Sequence, residues 1–250
     1  MDMRYFPVLS SDELQRLLDG LSAGADKSLF SPDDWSIRLG DGPAAHQFVE
    51  QMRAEWLPTS IPDETCQHMM GLARSALESQ RGWPHLWAHT LRVTRTALAL
   101  APEADVEPGH AFVLGIFHDI GKLDELWNGG IHEEIGAAVA REKLSGSYDP
   151  QIVTLITDAI AKTASPSNPY MRLIHDADKL DKIGATGIAR RLSTNSGGLY
   201  VGLALRRVED ELNGFPDMQF PTSQRLAALK KEFTESFLRS FIRPGSQDAF

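Results

Sequence analysis

Apolar positions along this chain recur at helical spacing almost throughout. After Ser10-Ser11-Asp12, residues Leu14, Leu17, Leu18 and Leu21 fall on one face of a short helix. Residues 22–42 are rich in Ser, Gly, Asp and Pro and read as loop. Asp41-Gly42-Pro43 then sets up a helix that runs to about Leu57, where Pro58 stops it. Ser60-Ile-Pro62-Asp63 reads as the capped start of a helix lasting to about Gln80. Another helix opens at Trp83-Pro84, and the stripe His89, Val93, Ala97, Leu100 marks its inner face. Ala111 to Phe117 is an unbroken apolar run. Asp149-Pro150, cap then proline, starts a helix that ends near Lys162, and residues 165–169 form a loop. Leu173, Ile174, Ala177, Leu180, Ile183 and Gly184 outline one more helical face. Residues 193–198 have the composition of a flexible loop, and two final helices span about 199–213 and 222–243. Strand-like alternation is nowhere sustained, so the fold class is all-α.

One place breaks the pattern. His118-Asp119 directly follows the apolar run and leads into Ile120-Gly121-Lys122. An ionisable pair after seven uncharged residues is costly to bury without compensation. A divalent metal compensates, because imidazole and carboxylate are both ligands and the cation cancels the carboxylate charge. An exposed pair at an ordinary helix end is the alternative, and the dyad alone does not separate the two. Further donors lie on neighbouring helices. His85 and His89, four apart, share a face, and Asp178 falls within the apolar pattern of residues 173–184. His132, beside Glu133 and Glu134 at another helix start, and His110 before the apolar run are additional candidates. Lys122 lies one turn from His118, where it could meet a phosphate or simply solvent.

Taken in order, the motifs are His89-x-x-Arg92-Val93, Gly115-Ile-Phe-His118-Asp119-Ile-Gly-Lys122, His132-Glu-Glu-Ile-Gly136-Ala137, and Asp176-Ala-Asp178-Lys-Leu-Asp181-x-x-Gly184-Ala185-x-Gly187-Ile-Ala-Arg190. This set resembles the HD superfamily of metal-dependent phosphohydrolases over roughly residues 62–193. The resemblance implies an HD-domain helical bundle with extra helices at both ends. It places an N-terminal helical extension at 1–61, the catalytic core at 62–193, and C-terminal helices packing on the core at 194–250. It also implies that His89, His118, Asp119 and Asp178 hold one divalent ion. That ligand mix suits Mn, Co, Ni, Fe or Mg alike, and without thiolates a structural zinc site is not expected. In relatives with two metals, two more histidines follow the dyad. The first matches His132, but the second would fall near residues 160–163, where this chain has Thr163. A single ion is therefore expected, with His132 assisting substrate binding or proton transfer.

The remaining roles follow from the same resemblance. Asp119 is the residue expected to orient or deprotonate water, and Lys122 to balance phosphoryl charge. Some HD deoxynucleotide phosphatases carry Glu where this chain has Lys122, which separates it from their specificity. His85, Lys122, Lys179 and Arg190 are the expected substrate contacts. Arg92 is as good a partner for a carboxylate as for a phosphate. Asp176 and Asp181 are expected to support ligands or cap helices. Trp83, Trp87 and Phe117 fit a core, or a base-stacking wall. His46, His68, His110 and His175 are expected to be structural or solvated.

Composition narrows the substrate. The chain has 250 residues, 42% of them hydrophobic, with 25 basic against 34 acidic side chains and a net charge of −9. Long nucleic acid is disfavoured, since its binding depends on neutralising many phosphates. A small phosphorylated substrate needs only the ion and one or two cations. The lone Cys66 excludes an internal disulfide and suits a small buried position in a helix. With no signal-like run at the N-terminus and no membrane-spanning stretch, a cytoplasmic protein is expected. Residues 1–58 are candidates for covering the pocket or for a homodimer contact. The expected activity is hydrolysis of a small phosphate ester, with a nucleotide favoured. The alternatives are a cyclic or linear phosphodiesterase, an iron-dependent HD oxygenase, against which Thr163 argues, and a ligand-sensing scaffold, against which the intact ligand set argues.

Overall fold

Asp63 accepts a hydrogen bond from the Cys66 backbone N–H at 2.7 Å and so caps helix α1 (Glu64–Glu78). This computed structural model describes residues 61–80, 83–194 and 201–239. The helices expected at 11–21 and 43–57, the loop 22–42, His46, and the end of the last helix at 243 lie outside these residues. Nine more helices follow α1 among the described residues: α2 (Trp83–Ala104), α3 (Pro108–Phe117), α4 (Lys122–Asn128), α5 (His132–Leu144), α6 (Pro150–Ile160), α7 (Pro169–Leu180), α8 (Gly184–Thr194), α9 (Val201–Asn213) and α10 (Pro221–Arg239). No strand occurs among the described residues, and the only bridge there is an isolated one between Ser145 and Tyr148. The chain is all-α.

Helix starts follow the polar-then-proline pattern of the sequence. Asp149 accepts from Gln151 N–H at 2.8 Å before Pro150. Asn168 accepts from the N–H groups of Tyr170 and Met171 before Pro169. In each case the side chain satisfies a first-turn donor, and the proline has none to lose. Helix α2 ends at Asp105, which adopts φ +54° and lets Val106 N–H reach back to Ala101 O at 3.1 Å.

Helix α2 is the spine. It packs on α3 on one side and on α7 on the other, while α1 also lies on α3. Helices α5 and α6 pair with each other, α4 leans on α5, and α8, α9 and α10 pack together, with α10 also touching α7. Helix α3 runs through the middle, and every residue from Ala111 to Phe117 is buried. Trp83, Trp87, Phe112 and Phe117 are core side chains, each worth about 1.5–3 kcal/mol of burial. Cys66 is buried in α1, where removal from water is the main reason its thiol is pushed up to about 11. Val93, Ala97 and Leu100 have no exposed surface, so the face that begins at His89 points inward.

One close approach sets the position of the site. A methyl group on Gly115 of α3 would lie 2.6 Å from Thr94 Cα and 2.7 Å from Thr94 Oγ1 of α2. Only glycine lets these two helices meet here. At the C-terminal side, Asp176 of α7 is fully buried and accepts from the N–H groups of Gln219 at 2.7 Å and Phe220 at 3.1 Å, and from the Ser223 hydroxyl. It thereby fixes the start of α10 from another helix. No described helix is long and apolar enough to cross a membrane.

Candidate metal centre

Three elements bring the polar groups together. His89 projects from the buried face of α2, His118 and Asp119 occupy the turn after α3, and Asp178 stands near the end of α7. His118 donates from Nδ1 to Gly115 O at 2.7 Å, using a last-turn carbonyl of α3. His89 donates from Nδ1 to Asp181 Oδ2 at 2.7 Å. With both Nδ1 atoms engaged, each neutral ring presents a lone pair on Nε2. Those two Nε2 atoms face each other at 3.3 Å.

Carboxylate oxygens complete the cluster. His89 Nε2 lies 3.4 Å from Asp119 Oδ2 and 3.4 Å from Asp178 Oδ1, and His118 Nε2 is 3.7 Å from Asp119 Oδ2. A single proton can satisfy only some of these acceptors at once. Two donors that share an ion at about 2.1 Å sit about 3.0–3.4 Å apart, depending on the angle between them. The spacings among His89, His118 and Asp119 therefore suit a shared divalent cation, Asp178 adjoins them through His89, and imidazoles with carboxylates as donors suit Mn, Co, Ni, Fe or Mg. His89, His118 and Asp119 by themselves form a buried group capable of holding an ion.

The electrostatics follow from the same contacts. Burial opposes the His89 cation, yet hydrogen bonds to Asp119, Asp178 and Asp181 outweigh it and push the ring up to about 9. His118, fully enclosed, moves the other way, chiefly because burial penalises its charged form. Burial would raise the carboxyl groups of Asp119 and Asp178. The neighbouring histidines, with Lys122 beside Asp119 and Lys182 beside Asp178, instead hold both well below the usual carboxylate range. The acids are thus ionised and ready to bind a cation.

Around this centre the expected contacts take up particular positions. Lys122 Nζ donates to Asp119 Oδ2 at 2.8 Å, and Lys179 Nζ lies 3.9 Å from Asp178 Oδ2. Arg190 of α8 donates to Asp181 Oδ2 at 2.7 Å, and Arg92 binds the same carboxylate through Nε at 2.6 Å and Nη2 at 2.9 Å. His132, at the start of α5, points Nε2 towards Asp119 Oδ1 at 3.9 Å. Its Nδ1 makes ion-pair contacts with Glu125 Oε2 at 2.9 Å and Glu133 Oε2 at 3.1 Å, off the line of a hydrogen bond. Glu133 also takes Lys162 Nζ at 2.5 Å. His85 belongs to the first turn of α2, and its side chain lies outside the described residues. Thr163 is exposed in the turn after α6. Trp83, Trp87 and Phe117 are buried in the core, and His110 shares a hydrogen bond with Tyr170 Oη at 3.1 Å. His68 is exposed on α1, and His175 shares a 3.0 Å hydrogen bond with Asp176.

One participant, Lys182, escaped the sequence reading. Lys182 donates to Asp178 Oδ2 at 2.8 Å, a contact whose i,i+4 spacing was available as a signal. Asp181, expected to support a ligand or cap a helix, joins His89, Arg92 and Arg190, groups from two other helices, and nothing local in the sequence marks those partners.

Residues 86–183 match the family model of the HD domain. Such domains bind divalent metals. Among solved structures, a predicted HD superfamily hydrolase from an uncultured Thermotogales bacterium is 24% identical, with 70% of this chain and 90% of that one covered and a TM-score of 0.51. Bacillus subtilis YpgQ, solved in complex with ADP, is 18% identical over 74% of this chain and 98% of its own, with a TM-score of 0.56. An HD-superfamily hydrolase from Bacillus thuringiensis is 19% identical, with 71% and 95% covered and a TM-score of 0.53. These likenesses are ones of fold, that of HD superfamily hydrolases. No curated protein matches the sequence.

Proposed function

We propose that this protein is a metal-dependent phosphohydrolase that acts on a small phosphate ester, with nucleotides the favoured class. The observation that carries the reading is the convergence of two Nε2 lone pairs and the Asp119 carboxylate within 3.3–3.7 Å, with Asp178 Oδ1 adjoining His89 Nε2 at 3.4 Å and each imidazole braced through its Nδ1. His89, His118, Asp119 and Asp178 would hold one divalent ion. Such an ion supplies a water of lowered pKa and neutralises charge on a phosphoryl group.

The chain's own residues do the rest. Asp119 accepts a proton or orients the attacking water from the base of the site. Lys122, 44% exposed at its side chain and 2.8 Å from Asp119, is placed to balance phosphoryl charge at the rim. Lys179 and Lys182 on the Asp178 side extend the cationic edge. His132, with Nε2 turned towards Asp119 and Glu125 and Glu133 behind it, serves as the proton donor or acceptor for the leaving group. A compact anion suits this local cluster of cations on a chain whose net charge is −9. The ADP bound by YpgQ, a protein of the same fold, supports a nucleotide as that anion.

A phosphate-release screen tests the reading. Mononucleotides, nucleoside polyphosphates and sugar phosphates are assayed with Mn, Co, Ni, Fe or Mg, alongside Asp119→Ala. The expected result is metal-dependent turnover of at least one small ester, abolished in the variant. Cleavage confined to phosphodiesters would move the assignment to a phosphodiesterase. Robust cleavage of single-stranded DNA or RNA with no small ester turned over would overturn it.

A further inference from the structure

His89 Nδ1 has two neighbours that make opposite demands on it. Asp181 Oδ2 lies 2.7 Å away, and Arg190 Nη1 lies 3.2 Å away. An ionised carboxylate only accepts, so Asp181 requires a proton on Nδ1. A guanidinium only donates, so Arg190 can be satisfied by that nitrogen only if it carries a lone pair. In a neutral ring the first arrangement leaves Nε2 free for a cation, and the second places the proton on Nε2 and blocks it.

We propose that Asp181, held in place by Arg92 and Arg190, is the positioning residue that keeps His89 in its cation-accepting form, and that Arg190 imposes the opposite form when the Asp181 charge is removed. The inference rests on the metal site proposed above and adds a residue, Arg190, that lies on α8 beyond the segment 86–183.

The geometry supports a selector rather than a simple brace. Arg92 binds Asp181 through both oxygens, Nε to Oδ1 and Nη2 to Oδ2, which fixes the plane of the carboxylate. Arg190 adds a third donor on Oδ2, the same oxygen that receives the His89 proton. Two guanidinium groups, Arg92 on both oxygens and Arg190 on Oδ2, surround Asp181 with donors, so it serves as an acceptor. While that charge is present, Arg190 spends its donor on Asp181, and its proximity to Nδ1 does no harm. Remove the charge, and the same guanidinium faces the ring nitrogen with no carboxylate between them.

Manganese affinity, read by titration of the free ion, tests this in the full chain. Asp181→Ala is expected to weaken binding by about 10–100-fold, the usual effect of losing a partner of a ligating histidine. Arg190→Gln alone should stay within about threefold of the parent, because Arg92 still holds Asp181. The double variant Asp181→Ala/Arg190→Gln should bind at least about threefold tighter than Asp181→Ala alone, a gain that a merely structural role would not give. Helical melting curves accompany each protein, and Asp181→Asn, with its own Arg190→Gln double, replaces the alanine pair should that pair fail to fold. Unchanged affinity in Asp181→Ala, or a double variant no tighter than the single, overturns the inference while leaving the metal site intact. A parent protein that binds no manganese overturns the site itself.

Discussion

Replacing Gly115 by alanine should damage fold and metal site together. The new methyl would sit 2.6 Å from Thr94 Cα and 3.0 Å from Thr94 Cβ, where carbon atoms prefer about 3.5–4.0 Å. Backbone cannot step aside as a flexible side chain can, so α2 and α3 must part by about 1 Å. Overpacking of this kind costs about 1–3 kcal/mol, a drop of about 2–12 °C in melting temperature for a chain of this size. The two helices also carry the facing histidines, whose Nε2 atoms are 3.3 Å apart. Two donors on one ion cannot be more than about 4.2 Å apart, twice the usual donor–metal distance. A parting of about 1 Å therefore takes the pair to its limit, and manganese affinity should fall at least about tenfold. Gly71 supplies the control. It lies within α1 with nothing within 4 Å of an added methyl, so Gly71→Ala should stabilise by about 0.5–1 kcal/mol and leave metal binding alone. Thermal melts and manganese titrations of both variants decide the matter. A Gly115→Ala protein that melts and binds like its parent would refute the claim that this contact sets the site.

Acid should loosen the C-terminal helices through Asp176. Burial favours its neutral form, but bonds from His175, Ser223 and the N–H groups of Gln219 and Phe220 lower its pKa below the usual value. A depressed folded pKa means stability that is complete above about pH 4 and lost as pH falls further, so melting at pH 3 should drop more in the parent than in Asp176→Asn. Metal affinity should rise with pH, because burial notwithstanding the carboxylates hold His89 at about 9 and its proton must leave before an ion binds. Titrations between pH 6 and 8 are expected to gain about tenfold per unit, and a flat profile would contradict this. Lys122→Ala should lower kcat/KM for the best phosphate ester at least about tenfold, with stability changed by less than about 1 kcal/mol because the ion pair is partly exposed. Unaltered kinetics would remove Lys122 from the reaction.

Much of this arrangement was legible in the chain itself because it depends on short-range pattern. The apolar run from Ala111 to Phe117 announced a buried helix, and a charged pair at its end needed a reason. The stripe from His89 through Val93, Ala97 and Leu100 declared which way that histidine faces. Caps at Asp63 and Asp149 fixed helix starts to within a residue or two, whereas the Asn168 cap lay in a stretch read as loop. Contacts made across helices were not legible. Asp178 and Asp181 are three residues apart on similar local sequence, yet one turns to His89 Nε2 and the other to its Nδ1. The family motif separated ligand from support, but only the packing of α7 against α2 shows which nitrogen of His89 each one meets. The sequence motif offered Arg190 as a substrate contact but carried no sign that it donates to Asp181 at 2.7 Å. The Gly115–Thr94 contact was equally hidden, since a glycine in an apolar helix carries no mark of what it touches.

Anomalous diffraction from crystals grown with manganese tests the central claim most directly. One peak per chain is predicted, within about 2.0–2.3 Å of His89 Nε2, His118 Nε2 and carboxylate oxygens of Asp119 and Asp178, with His132 outside that distance. Absence of a peak there, or a peak held instead by Glu125, His132 and Glu133, would contradict the account.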